Sequence, residues 1–333
     1  METKYGFTKM SASAFSAWLG GLRLSRTILP IQQHHTYLPS YVHFTGDNHF
    51  ERQKAMKDHH IRSNGWKDIG QHFTIFPDGS ILTGRSLEIA PACIFGQNAN
   101  AICLEHFGNF DAGADQMIRQ QQESIIAVTA ALCRRFNLQP STTSIVYHHW
   151  FDLGTGLRNN GTRNNKSCPG TTFFGGNKVL DCQHNFLPLL QAALQDSPIA
   201  DHSSAVEGFV AVTATALRVR TAPSTQSAMA AGQTSVQHGA VLRVYEKRDG
   251  WLKISKSTAH WVAAPYTVPV FPAVVRAEKL RVRSGPDFAI VDNRYKGELV
   301  FVFGREGNWC RIDLDGRWVH ASYLDMLPVT SMD

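Results

Sequence analysis

Over the first 195 residues, hydrophobic positions recur every three to four residues in some stretches and every second residue in others, the mark of mixed helix and strand. SASAFSAWLGGL (11–22) keeps its apolar residues on one face and predicts a helix ended by its glycines. TILPIQQHH (27–35) predicts a strand that finishes in a His pair. Asp47 is placed to cap a helix running from Asn48 to a stop at Asn64-Gly65. HFTIFPDGSILTGR (72–85) predicts a hairpin turning at Pro77-Asp78-Gly79. AICLEHFGNF (101–110) and TSIVYHH (143–149) predict buried strands. Between them lies the longest helix, 114–138, with Ile118, Ile125, Val128, Leu132 and Phe136 on its apolar side. A last helix is expected at 185–195. Strands alternating with helices point to an α/β fold, one mixed sheet flanked by helices.

Past a polar, aperiodic break at 196–206 (DSPIADHSSAV) the pattern becomes strand after strand, and it repeats. LRVRTAPS (217–224) returns as LRVRSGPD (280–287), GAVLRVYEKRDGWLKIS (239–255) as GELVFVFGREGNWCRID (297–313), and HWVAAPYT (260–267) as RWVHASYL (317–324). Two copies of about 60 residues, all strand and turn, predict two small β-barrels, each near the lower size limit for an independent core. A second break is expected at 266–272 (YTVPVFP), which gives domains at 1–200, 206–267 and 271–329. Most of Trp251, Trp261, Trp309 and Trp318 are expected to fill the barrel cores.

Composition narrows the class. With 43% hydrophobic and 18% charged residues the 333-residue chain has globular composition, which a disordered chain lacks. No stretch approaches the roughly 18 uninterrupted apolar residues of a membrane span. The net charge of +6 is divided evenly between 1–200 and 201–333, without a basic arm, so nucleic acid is not an expected partner. The N-terminal segment lacks the apolar core and cleavage site of a secretory signal, so synthesis in the cytoplasm without a signal peptide is expected. The six cysteines are scattered with no CxxC pair. Apart from Cys168 they read as small buried hydrophobes, with no disulfide framework and a reducing compartment of synthesis.

Chemistry gathers at strand ends: His34-His35, Glu105-His106 and His148-His149, together with Lys166 and Cys168 in the loop NKSCPG (165–170). Ends of neighbouring strands meet in space, and a catalytic zinc takes three ligands from His, Cys and carboxylate while leaving a fourth position for water. One His from each of two strands plus the Cys168 thiolate would satisfy that. Spacing alone does not demand it, because 15 histidines include some pairs by chance and no local metal motif is present. His59-His60, inside a polar helix, is read as structural.

QHHT (33–36), HHIRSNGWKDIGQHFTIFPDGSILTGR (59–85), AICLEHFGN (101–109), SIVYHH (144–149) and KSCPG (166–170) stand in the order found in one family. Residues 27–182 resemble the zinc N-acetylmuramoyl-L-alanine amidases with the peptidoglycan-recognition-protein fold, a group that includes amidase-type phage lysozymes. The resemblance implies one zinc held by His34, His148 and Cys168, with His148 preferred to His149 because Ile145 then falls where the family has its apolar residue. It implies Glu105 as general base and Lys166 as the group that stabilises the oxyanion. Some members carry a Tyr just before the hairpin's HF; here Gln71 stands there and is given a polar role at the rim, with His35 and His149 as further substrate-binding residues. The segment 149–167 is longer than in compact members and is expected to shape the cleft.

The two repeats resemble bacterial SH3 domains, which often attach wall hydrolases to peptidoglycan. The resemblance therefore implies a monomeric hydrolase of the amide between N-acetylmuramic acid and L-alanine, with peptidoglycan as partner, acting on the wall after release or dedicated export. Two rivals stay open at this stage: a wall-binding protein without turnover, and a zinc peptidase that cuts within the stem peptide. A phage lysin, a recycling enzyme and a delivered effector all fit the sequence.

Overall fold

The helix-and-strand alternation builds a seven-stranded sheet in the computed structural model, which describes residues 1–24, 26–195, 206–231, 233–256 and 258–328. By internal contacts the chain divides into two units, Met1–Leu22 with Ile28–Ile199, and Arg23–Thr27 with Ala200–Asp333. The expected linker lies outside the described residues from 196 to 205.

In the first unit the elements are β1 (Glu2–Lys4), β2 (Phe7–Met10), α1 (Ala12–Gly20), β3 (Ile31–His35), α2 (His49–Arg62), β4 (Phe73–Ile75), β5 (Ile81–Thr83), β6 (Ile102–His106), α3 (Arg119–Phe136) and β7 (Ile145–Tyr147). A short helix α4 (Val179–Asp181) then leads through a π-turn into α5 (Leu187–Gln195). The sheet order is β1-β2-β5-β4-β6-β3-β7. Strands β4, β6, β3 and β7 run parallel, while β1, β2 and β5 add an antiparallel edge. Parallel strands carry their C-terminal ends to one edge, and this positions the site.

α3 covers one face of the sheet. Gln121 donates to the carbonyls of Ile75 and Phe107, and Gln33 of β3 donates to Thr129. Gly79 closes the hairpin at φ +80°, and a Cβ there would lie 2.7 Å from Ser124 Oγ of α3. α1 and α5 pack on α3 in turn.

Several expectations shift. The β1–β2 hairpin has no sequence-level counterpart, because only Phe7 and Met10 of its seven strand residues are buried. α3 starts at Arg119 rather than 114, which leaves Ile118 as its N-cap and 41% exposed instead of in the apolar stripe. Asn48, not Asp47, is the N-cap residue of α2. The expectation of no disulfide is incorrect: Cys93 and Cys103 are bonded, tying the loop before β6 to that strand. Both cysteines sit in apolar surroundings, so their sequence context looks like that of the four free buried cysteines.

The second unit is strand-rich, as expected, but 266–272 is not a break. Strand β15 (Thr267–Val275) runs through it after β8 (Gly208–Val212), β9 (Ala216–Arg218), β10 (Ser235–Gln237), β11 (Val241–Val244), β12 (Glu246–Arg248), β13 (Trp251–Lys253) and β14 (Trp261–Ala263). It is followed by β16 (Lys279–Arg283), β17 (Ile290–Tyr295), β18 (Leu299–Val302), β19 (Gly304–Glu306), β20 (Trp309–Arg311), β21 (Trp318–His320) and β22 (Leu324–Met326). The first half of β15 pairs with β8 of the first repeat, and its second half pairs with β18 and β22 of the second. Each repeat still has its own core, one around Val219, Leu242 and Val262, the other around Val282, Val302 and Val319.

These cores are aliphatic. Most of the four tryptophans are expected inside, but only Trp261 is buried, while Trp251, Trp309 and Trp318 are half-buried. Period-2 alternation explains it, since Leu252 and Cys310 point inward and so turn Trp251 and Trp309 outward. A groove of about 480 Å³ in the second repeat is lined by Phe271, Asn308, His320, Ser322 and Met326 among others.

Candidate metal centre

Three parallel strands end at one edge of the sheet. β3 pairs with β6 so that His34 lies beside Glu105, and with β7 so that Gln33 lies beside Tyr147. Side chains alternate along a strand. Gln33 faces α3, so His34 and Glu105 face the opposite side. His106 goes with Gln33, its Nε2–H donating a 2.8 Å bond to Gln33 Oε1 while its ring stacks on Phe173. After β7 the chain turns in a single 3-10 turn, His148–Trp150, which brings His148 back over β3.

The result is a tight cluster. His34 Nδ1 lies 3.2 Å from His148 Nδ1 and 3.6 Å from Cys168 Sγ. The ligand atoms of all three buried residues are within 4.8 Å of one another. Tetrahedral zinc, with Zn–N of about 2.0–2.1 Å and Zn–S of about 2.3 Å, sets N···N edges near 3.3 Å and N···S edges near 3.6 Å. The separations of 3.2 Å and 3.6 Å match those edges, and two imidazoles with one thiol are a donor set that zinc accepts. His148, rather than His149, is the second histidine that reaches the cluster.

The loop carrying Cys168 is fixed from several sides. Asp111 accepts from Ser167 Oγ and from the Thr171 N–H, one bond on each side of the cysteine. Asn177 donates to the Ser167 carbonyl, and the His35 N–H points at Cys168 Sγ from 3.4 Å. Gly170, at φ +115°, lets the chain pass Phe110, whose carbonyl oxygen would be 2.4 Å from a Cβ.

Burial sets the electrostatics. It holds His34 well below the ordinary histidine range, reinforced by His148, and brings His148 down to about 3 with help from Lys166. Both imidazoles are therefore neutral at pH 7, as ligands must be. Burial and the nearby Glu105 hold the Cys168 thiol well above its usual value, against the His35 N–H and Lys166. Burial likewise pushes Glu105 up to about 8, with Lys166 opposing. The Lys166 side chain is exposed, and its charge acts on Glu105 and on all three members of the cluster.

Three residues assigned to substrate binding are placed otherwise. Gln71 is 1% exposed, not at a rim, and donates to Thr74 Oγ1, because the strand that follows draws it under the sheet edge. His35 alternates away from His34, and its Nδ1 accepts from the Phe110 N–H. His149 is occupied on both ring nitrogens: Nδ1 bonds the Lys166 carbonyl at 2.6 Å and Nε2 meets Lys178 Nζ at 2.8 Å. Its own N–H donates to the Cys168 carbonyl at 2.7 Å. Gly161 passes so close that a Cβ would lie 2.1 Å from His149 Nε2. His149 is thus the hub that folds the 149–167 segment back and sets Lys166 and Cys168.

A consequence follows for stability. His149→Ala leaves the Lys166 carbonyl without its donor and is expected to cost about 1–3 kcal/mol. His149→Asn, which can present an N–H near Nδ1, is expected to recover much of that. Urea unfolding of the metal-free protein checks both, and equal losses in the two variants would remove the hub role.

Asp111, Asn177 and the hub role of His149 were not visible from sequence, because each acts through a contact between segments with no local motif. Of the remaining His pair, His60 is structural, its Nδ1 accepting from the Gly70 N–H and its ring against Trp66, while His59 is exposed.

The sequence profile of N-acetylmuramoyl-L-alanine amidases matches residues 31–171, and that of the bacterial SH3 domain matches 278–325. Peptidoglycan-recognition protein LB of Drosophila melanogaster is 39% identical over 59 residues, 18% of this chain and 25% of that protein. A human N-acetylmuramoyl-L-alanine amidase is 28% identical over 105 residues, 30% of this chain and 18% of that protein. The chain thus spans a quarter or less of the length of these two relatives. Among solved structures, an endolysin N-acetylmuramoyl-L-alanine amidase, LysCS, from Clostridium intestinale is 27% identical, with TM-score 0.32, covering 44% of this chain and 77% of that one. On the profile matches, this chain carries a domain of the N-acetylmuramoyl-L-alanine amidase family at residues 31–171 and a bacterial SH3 domain at 278–325.

Proposed function

We propose that the chain is a zinc-dependent peptidoglycan hydrolase that cleaves the amide between the lactyl group of N-acetylmuramic acid and the L-alanine of the stem peptide. The observation that carries this reading is the cluster of His34, His148 and Cys168 at tetrahedral zinc spacing, inside an amidase-family domain and beside Glu105. When bound there, zinc supplies a Lewis acid and an acidified water.

The remaining roles fall to the chain's own groups. Glu105, whose carboxyl is pushed up to about 8 by burial with Lys166 opposing, is suited to take a proton from the attacking water and return it to the leaving amine. Lys166 presents positive charge where the substrate carbonyl oxygen gains negative charge. Asp111 and His149 hold the loop that bears Lys166 and Cys168, so neither has to be ordered during the reaction. A hydrolase domain at 1–200, followed by the two repeats joined through β15, belongs to the same proposal, with the repeats attaching the hydrolase to the wall.

The test is digestion of purified peptidoglycan with and without a chelator, with new chain ends read by mass spectrometry. Peptide-free muramic acid together with new L-alanine amino termini, lost on chelation and restored by zinc, is the expected result. New amino groups elsewhere in the stem would make the protein a peptidase. Binding without new ends would make it a wall-binding protein.

A further inference from the structure

We propose that opening the Cys93–Cys103 disulfide creates a second metal position, formed by His34, Cys93 and Cys103, which competes with the His34–His148–Cys168 cluster for the same cation. A ring nitrogen of His34 and the two sulfurs lie within 4.8 Å of one another. Cys103 stands beside Gln32 on the neighbouring strand, two residues before Glu105, and so shares the sheet face of His34. His34 is 4% exposed, and its Nε2 has no hydrogen-bond partner among the described residues, while Nδ1 faces His148 and Cys168. A buried, unpartnered ring nitrogen on one side and a convergent donor set on the other make His34 the shared member of two trios.

Chemistry separates the two states. In the disulfide neither sulfur is a thiolate, so only the first cluster can bind. A phosphine reductant breaks the S–S bond and becomes the phosphine oxide, taking its oxygen from water, and each sulfur receives one proton. A divalent cation then displaces those protons and finds two thiolates and an imidazole, a donor set common at zinc. Two thiolates on one tetrahedral zinc stand about 3.8 Å apart. Cys103 is fixed in β6, so Cys93 must move, and it sits on a loop where Asn98 Oδ1 accepts from its N–H. A neutral imidazole has one lone pair to give, so occupation of one trio empties the other. Soft cations favour the trio richer in thiolate. A reduced chain would hold its metal away from His148 and Cys168 until the disulfide forms. The inference shares His34 with the proposed hydrolytic centre but does not depend on what the protein cuts.

Cobalt(II) distinguishes the two positions through its thiolate charge-transfer absorption. Cys168→Ser protein with the disulfide intact is expected to show no such band. After phosphine reduction it should gain one with about twice the intensity per cobalt of oxidised wild type, because two thiolates replace one. Adding Cys93→Ser should abolish it. Absence of the band in the reduced Cys168→Ser protein overturns the proposal, and so does its survival after Cys93→Ser, which would point to another cysteine. Should Cys168→Ser fail to fold, alkylation of reduced wild type reads the same site: cadmium(II) should slow modification of Cys93 and Cys103 at least about tenfold. Equal rates with and without cadmium would overturn it. Chelator-sensitive wall digestion by the oxidised protein would stand in either case, so the two readings fail separately.

Discussion

Glu105→Gln is expected to lower kcat for wall digestion by about 10²–10⁴-fold, the usual worth of a positioned proton-transfer group, while the protein keeps its metal. Glutamine preserves shape and hydrogen-bonding reach but cannot take a proton. Glu105 also stands beside, not within, the trio whose ligand atoms converge. A base works when ionised, so wild-type kcat/KM should rise with pH through the Glu105 titration. Burial, with Lys166 opposing, sets that at about 8, and a bound divalent cation, which favours the carboxylate, would move it lower. The variant should lose that limb. Metal analysis alongside turnover separates the outcomes: loss of metal would make Glu105 a ligand or a support for one, and unchanged turnover would remove it from the mechanism.

How much of this was legible in the sequence depends on the range over which each signal acts. The strands that end in His34, Glu105 and His148 were readable because apolar runs identify buried parallel strands locally, and parallel strands bring their ends to one edge. The convergence of Cys168 was not a spacing effect. It depends on Asp111, which bonds both sides of the loop from 56 and 60 residues away. The Cys93–Cys103 bond was invisible for a related reason, since PACIF and AICLE look alike to any local reading whether their sulfurs are joined or free. In the second unit the repeat gave the strand pattern but misplaced the aromatics, because burial of Trp251 and Trp309 is decided by which face of the pleat Leu252 and Cys310 occupy. The prolines in YTVPVFP suggested a break, yet Pro269 and Pro272 both sit in β15. β15 serves both repeats by changing partners along its length rather than by ending.

Cys168→Ser, with the Cys93–Cys103 disulfide intact, is expected to abolish stable metal binding and wall digestion together. Loss of groups that merely orient a ligand costs about 10–100-fold in metal affinity, so loss of the only thiolate from a three-ligand site should exceed that range. The physical reason lies in the charge balance of the cluster. His34 and His148 are held neutral by burial, and the thiolate is the one anionic donor among the three. A serine hydroxyl does not ionise near neutral pH, so the cation would enter a buried site with no ligand charge to offset its own. The thiol must itself lose a proton first, and burial holds that proton on. Wild-type affinity should therefore climb by about tenfold per pH unit below the thiol's titration. Metal content after dialysis, followed across pH, tests both statements. Retention of zinc by Cys168→Ser at wild-type affinity would mean that the metal sits elsewhere, and a flat pH profile would mean that no thiol is deprotonated on binding.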